Sequence, residues 1–102
     1  MTSKIIEYAN QLAIAESTRV SISPLSEIDC TLTVNDAYAI QLENIQQKVK
    51  EGHRIVGKKI GLTSKAMQTL LGVNEPDYGH LLDCMVVENG GRVDMNKVLQ
   101  PR

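Results

Sequence analysis

Arg54-Ile55-Val56-Gly57-Lys58-Lys59-Ile60-Gly61-Leu62-Thr63-Ser64 is the stretch on which the fold turns. Its β-branched residues predict a strand over residues 54–61, and Gly61 opens a turn. Thr63 or Ser64 then offers a helix cap and Gly72 a stop, so a short helix is expected through about residue 71. Side chains on a strand alternate faces, so Lys58 and Lys59 must point to opposite sides. Two arrangements satisfy that rule. Either one ammonium is directed into a core, where burial penalises its charge and suits it to acid or anion-binding work. Or the strand is an edge and both amines reach water. The residues leave the choice open.

Downstream, Glu75-Pro76-Asp77-Tyr78-Gly79 reads as a turn, in which an aspartate ordinarily bonds its own backbone. Residues 80–87 read as a second strand, Asn89-Gly90-Gly91 as a tight turn, and residues 92–94 as the start of a return strand. Val98-Leu99-Gln100-Pro101-Arg102 reads as the approach to another strand. So few strands cannot cover both faces of a sheet, and the β part reads as unfinished.

Upstream the period changes. Ile5, Tyr8, Ala9 and Leu12 recur at helical spacing and predict a helix over residues 4–17. Residues 20–32, with Pro24 and several serines, show no sustained period and read as a connector. Thr33 and Asp36 form a cap with an acidic first turn, ahead of an apolar stripe of Ala37, Tyr38, Leu42, Ile45 and Val49. Gly52 closes that helix, expected over residues 34–51. The expected class is therefore α+β: a helical layer over residues 1–53, then the first strands of an incomplete β-rich domain over 54–102.

Composition narrows the function classes. With 42% hydrophobic residues and three tyrosines as the only aromatics, the core must be aliphatic. A 102-residue chain buries proportionally little surface. A net charge of −1 gives no general reason to expect nucleic acid or an anionic membrane as partner. The first twenty residues hold Glu7 and Glu16 and no long apolar run, so no signal peptide or membrane span is expected. Cys30 and Cys84 are far apart with no C-x-x-C pattern, which reads as reduced thiols in a cytoplasmic protein. His53 and His80 lack metal-ligand spacing with either cysteine, so no zinc site is expected. Residues 61–73 superficially suit a recognition helix flanked by lysines, but a helix-turn-helix module needs a helix before the turn, where residues 55–60 read as strand.

Singly these signals are weak; their order is specific. G-K-K-I-G-L-T-S-K-A-M-Q (57–68), L-G-V-N-E-P-D-Y-G (71–79), L-L-D-C-M (81–85) and L-Q-P-R (99–102) together resemble the 2-hydroxypenta-2,4-dienoate (2-oxopent-4-enoate) hydratases of meta-cleavage aromatic degradation, in the fumarylacetoacetate-hydrolase-like superfamily. The likeness is densest over residues 54–102 and reaches weakly back to Asp36, Ala37 and Tyr38. It implies a lyase that hydrates a short dienol acid, with Lys59 and Asp77 as catalytic residues and Thr63, Ser64 and Leu81 lining the substrate pocket. It also implies Mg²⁺ or Mn²⁺, held in the family by an E-x-E pair that follows the L-Q-P-R-like run, so those ligands lie outside this chain. The fragment alone is then expected to be inactive.

A homo-oligomer at full length and association with the pathway decarboxylase are further implications of the likeness. Two relatives of the same superfamily stay open. One is the 2-oxohept-4-ene-1,7-dioate hydratase, which shares K-I-G-L-T-S-K-A-M-Q and E-P-D-Y-G. The other is the 4-oxalocrotonate decarboxylase, whose pattern has an apolar residue where Asp77 stands. A non-catalytic truncated homologue acting as an interaction piece is the alternative of another class.

Overall fold

The computed structural model describes residues 3–99, and the expectation for the last three residues lies outside that range. The elements in order are α1 (Ser3–Thr18), α2 (Leu25–Ile28), α3 (Val34–Lys50), β1 (Ile55–Gly61), α4 (Lys65–Leu70) and β2 (Asp77–Leu82), followed by two single 3₁₀ turns, Asp83–Met85 and Met95–Lys97. The chain forms two compact units, residues 1–48 with 87–102, and residues 49–86. The expected α+β class holds, with a two-stranded antiparallel sheet that does not close.

In the helical unit the ends of the helices are set by local chemistry. Arg19 takes a left-handed φ of 56° after α1, and the Val20 N–H returns to the Ala15 carbonyl at 3.3 Å. Ser17 and Thr18 hydroxyls both donate to the Ile14 carbonyl in the last turn of α1. Thr33 caps α3 as the sequence predicts: its Oγ1 accepts the Asp36 N–H at 3.1 Å and its own N–H donates to Asp36 Oδ2 at 3.0 Å. The core joins Ile5 and Ala9 of α1 to Ile40 of α3, with Tyr8, Leu25, Leu32 and Ala39 packed around them.

Two expectations about this unit need correction. The connector holds one helical turn, α2, started by Pro24. The buried centre of α3 is Ile40, 2% exposed, whereas Leu42 and Val49 of the expected stripe are exposed. The α3 sequence is apolar along two flanks, and periodicity alone does not say which flank is covered.

Asp29 ties the connector down. Its carboxylate accepts from the Thr31 N–H and hydroxyl, from Lys4 Nζ at 3.0 Å and from the Tyr8 hydroxyl at 3.2 Å. The Thr31 hydroxyl and the Lys4 ammonium, in that order, hold the carboxyl well below the usual carboxylate range.

In the second unit β1 pairs with β2 from Gly61↔Asp77 at one end to Ile55↔Leu82 at the other, with an irregularity between Ile55 and Gly57. The second strand thus starts at Asp77, not at residue 80, and gives way to a 3₁₀ turn at residue 83. No return strand forms at residues 92–94, where a second 3₁₀ turn follows Asp94. Between the strands Ser64 caps α4, accepting the Met67 N–H at 3.2 Å. Gly72 (φ 73°) ends α4, with Val73 N–H on the Gln68 carbonyl and Gly72 N–H on that of Thr69. Since β1 precedes this helix, the helix-turn-helix reading is excluded. Among the described residues no helix is long and apolar enough to cross a membrane.

Candidate active site

Cross-strand partners in a ladder share a face, and alternate residues along a strand share one too. The register therefore places Gly57, Lys59 and Gly61 of β1 with Leu81, Gly79 and Asp77 of β2 on one face. Lys58, Ile60, His80 and Tyr78 lie on the other. Three of the five residues singled out in the sequence, Lys59, Asp77 and Leu81, thus share a surface, and glycine occupies the three positions between them. Asp77 owes its place to the strand: as the first residue of β2 its side chain stands on the sheet instead of folding back on a turn.

The floor is open enough for two charged groups to meet above it. A Cβ built on Gly61 would collide with Asp77 Oδ1 and lie 3.3 Å from Lys59 Nζ. The carboxylate therefore occupies the space that any other residue at 61 would fill, and the ammonium borders it. No ion pair joins them among the described residues. Leu81 covers the other end of the face, with its Cδ1 3.7 Å from the Cβ position of Gly57.

Of the two arrangements open to the lysines, the edge-strand one is observed: Lys58 and Lys59 are both exposed, on a strand that pairs with β2 alone among the described residues. His80 is on the far face, and its Nδ1 is buried with no partner among the described residues.

The link from β1 to α4 is built with strain. Leu62 takes φ 54°, a left-handed conformation that is costly for a bulky side chain. Its carbonyl accepts the Gln68 side-chain amide at 2.8 Å, and Gln68 is 9% exposed. Sequence reasoning missed Gln68; a polar residue on the short helix gave no sign that it would turn back onto the loop. Thr63 is exposed, and Ser64 spends an oxygen lone pair on the helix cap while its hydroxyl proton stays available.

At the opposite end of the hairpin the pairing continues by one bond, Asp83 N–H to the Arg54 carbonyl at 2.9 Å. That brings His53 Nδ1 to 3.1 Å from Asp83 Oδ1, which also accepts the Cys84 N–H at 2.9 Å. Burial by itself would raise the Asp83 carboxyl, but the Arg54 N–H, the His53 ring and the Cys84 N–H outweigh it and hold the group below the usual range. Donor atoms of His53, Asp83 and Cys84 all lie within 4.8 Å of one another. His53 and Cys84 lack metal-ligand spacing along the chain, and it is the strand pairing that folds residue 53 onto residue 84. Cys30 and Cys84 are both exposed and form no disulfide.

An ammonium and a carboxylate converging over a backbone floor are equipment for handling a small organic anion. Comparison with known proteins gives that class a definite content. No family model matches the chain. It is 40% identical over 99 residues to a 2-hydroxypent-2,4-dienoate hydratase of Pseudomonas putida, covering 96% of this chain and 45% of that protein. It is 43% identical over 94 residues to a 2-oxo-hept-4-ene-1,7-dioate hydratase of Escherichia coli, covering 92% of this chain and 35% of the relative.

Among solved structures, 4-oxalocrotonate decarboxylase from Pseudomonas putida G7 complexed with calcium and acetate superposes with a TM-score of 0.90 at 35% identity, covering 97% of this chain and 39% of that one. The same enzyme complexed with magnesium and adipate gives 0.80. The chain is thus similar over nearly its whole length to 2-hydroxypentadienoate hydratases, as its motifs imply, and it spans less than half the length of these proteins.

Proposed function

We propose that this chain carries the substrate-carboxylate and proton-transfer face of a hydratase acting on 2-hydroxypenta-2,4-dienoate. The observation that carries the proposal is the convergence of Lys59 Nζ and Asp77 Oδ1 above Gly61. The reaction needs a cation for the substrate's carboxylate or enol oxygen and a group that moves protons. The dienol gives up its 2-hydroxyl proton and gains one at C5, leaving an alkene conjugated to the new carbonyl. Water oxygen then bonds to C4 and a proton to C3, giving 4-hydroxy-2-oxopentanoate.

Lys59 supplies the cation, and Asp77 is placed to hold the water or relay a proton. The glycine floor lets a planar conjugated acid lie against the strand, with Leu81 at its apolar end and the Thr63 and Ser64 hydroxyls at the loop. The division of the chain at residue 53 into a helical part and the start of a catalytic domain belongs to the same proposal. So do a cytoplasmic location, a homo-oligomer at full length and association with the pathway decarboxylase.

The divalent ion of the calcium- and magnesium-complexed relatives finds no set of hard oxygens on this face. Asp77 lies beside an ammonium and belongs to no cluster of three metal-capable side chains among the described residues. The likeness to the 2-oxo-hept-4-ene-1,7-dioate hydratase supports a second reading, with the decarboxylase behind it. Asp77 favours hydration, because it can serve water and decarboxylation needs no such group.

Titrating the chain with 2-oxopentanoate and following backbone amide signals tests the binding half of the proposal. Signals of residues 57–64 and 77–81 should move in the parent, and K59A should weaken the response roughly ten- to a hundredfold, in line with a charge-assisted contact of ~1.5–3 kcal/mol. Shifts that K59A leaves untouched would refute it. Turnover of the dienoate, read as loss of its ultraviolet absorbance, should not exceed the K59A background.

A further inference from the structure

We propose that His53, Asp83 and Cys84 form a binding site for a thiophilic divalent cation of the zinc class, separate from the Lys59–Asp77 face. The strand pairing builds this site at the Ile55↔Leu82 end of the hairpin, whereas Asp77 pairs at the Gly61 end. The two ends are about 20 Å apart along the strand at 3.3–3.4 Å per residue.

The donor set is one imidazole nitrogen, one carboxylate oxygen and one thiol sulfur, all within 4.8 Å of one another. Such a mixed set suits zinc or cobalt and suits magnesium or calcium badly, since the latter take oxygens. Three protein donors leave the fourth tetrahedral position to water or another ligand.

The distances need little adjustment. With metal–nitrogen and metal–oxygen bonds near 2.1 Å and metal–sulfur near 2.3 Å, donors in a tetrahedron sit roughly 3.3–3.7 Å apart. His53 Nδ1 and Asp83 Oδ1 are already at 3.1 Å, so a cation can replace the hydrogen bond between them. The Cys84 sulfur lies no more than 4.8 Å from the other two donors, so it has to close by at most about 1 Å, within the reach of one side-chain torsion for an exposed cysteine. Asp83 is held in place from behind: its Oδ1 takes the Cys84 N–H and its Oδ2 lies 3.9 Å from Arg54 Nε. Such outer contacts orient a ligand before the metal arrives. Arg54 opposes a cation by charge, but its side chain is 80% exposed and the repulsion is screened by water.

Cobalt(II) titration of the full chain, kept reduced with a phosphine, tests the site. The parent should bind one ion with a near-ultraviolet sulfur-to-cobalt absorption, zinc should displace it, and excess magnesium should not. C84S should lose the absorption. H53A should weaken affinity roughly tenfold or more, the usual effect of removing part of a ligand set. C30S should match the parent, and far-ultraviolet circular dichroism should be the same for all four proteins. The proposal is overturned if the parent lacks the sulfur band, if the band follows Cys30 instead of Cys84, or if H53A binds cobalt as the parent does.

Discussion

Gly61 shows how a single missing methyl group can create a site. Its φ is not left-handed, so alanine is permitted by the backbone, yet the new Cβ would take the place of the Asp77 carboxylate oxygen and press on Lys59 Nζ. G61A should therefore keep the far-ultraviolet spectrum of the parent while losing most of the 2-oxo acid response; retention of full binding would show that the two charges do not act together. Asp29 and Asp83 carry a prediction of another kind. Both carboxyls are held below their usual range in the folded state. Folding then releases protons at acid pH, and the stability they contribute is complete above the ordinary carboxylate pKa of about 3.9 and is lost as pH falls below it. D29N should flatten the acid limb of a thermal-melting profile between about pH 4 and pH 2; an unchanged limb would remove Asp29 from the account. None of these environments was legible in the sequence, where Asp77 read as a turn residue and Asp29 as part of a featureless connector. Their partners come from other elements.

Elements were more readable than their ends. The helices α1, α3 and α4 and the strand β1 follow from periodicity, β-branched content and caps that bond within a few residues of themselves. Ser64 is such a cap, and S64A should cost about 1 kcal/mol of unit stability, read by chemical denaturation. The β2 boundary was misplaced because Pro76 and Gly79 signal a turn locally, while pairing with β1 pulls Asp77 into the ladder. Residues 92–94 stay out of the sheet for the converse reason: they have the composition of a strand and no paired neighbour. Within the helical unit Ile40 is the central contact, and I40A should destabilise it by about 2–5 kcal/mol, a large share of what a chain this small can hold. A loss under 1 kcal/mol would mean that the packing of α1 on α3 is loose.

Across the whole molecule many apolar side chains remain at the surface, among them Ile14 in the first unit and Ile60, Leu70 and Val86 in the second. Exposure on this scale goes with a chain that spans 45% of a relative's length. An apolar dye such as anilinonaphthalene sulfonate should brighten with this chain far more than with the full-length Pseudomonas putida hydratase at equal mass; equal signals would contradict that. By itself the sequence determined the α+β class, the kinship with the hydratases, and the identity of Lys59 and Asp77 as residues to watch. Those conclusions rest on local periodicity and on motif order, which are written along the chain. Only the tertiary structure decided that the two charges share a glycine-floored face, that both lysines reach water, that Ile40 and not Leu42 is buried, and that His53 stands beside Asp83 and Cys84. Each of these depends on register and on which flank meets a neighbour, and a strand's register is fixed by its partner through hydrogen bonds between residues distant in sequence.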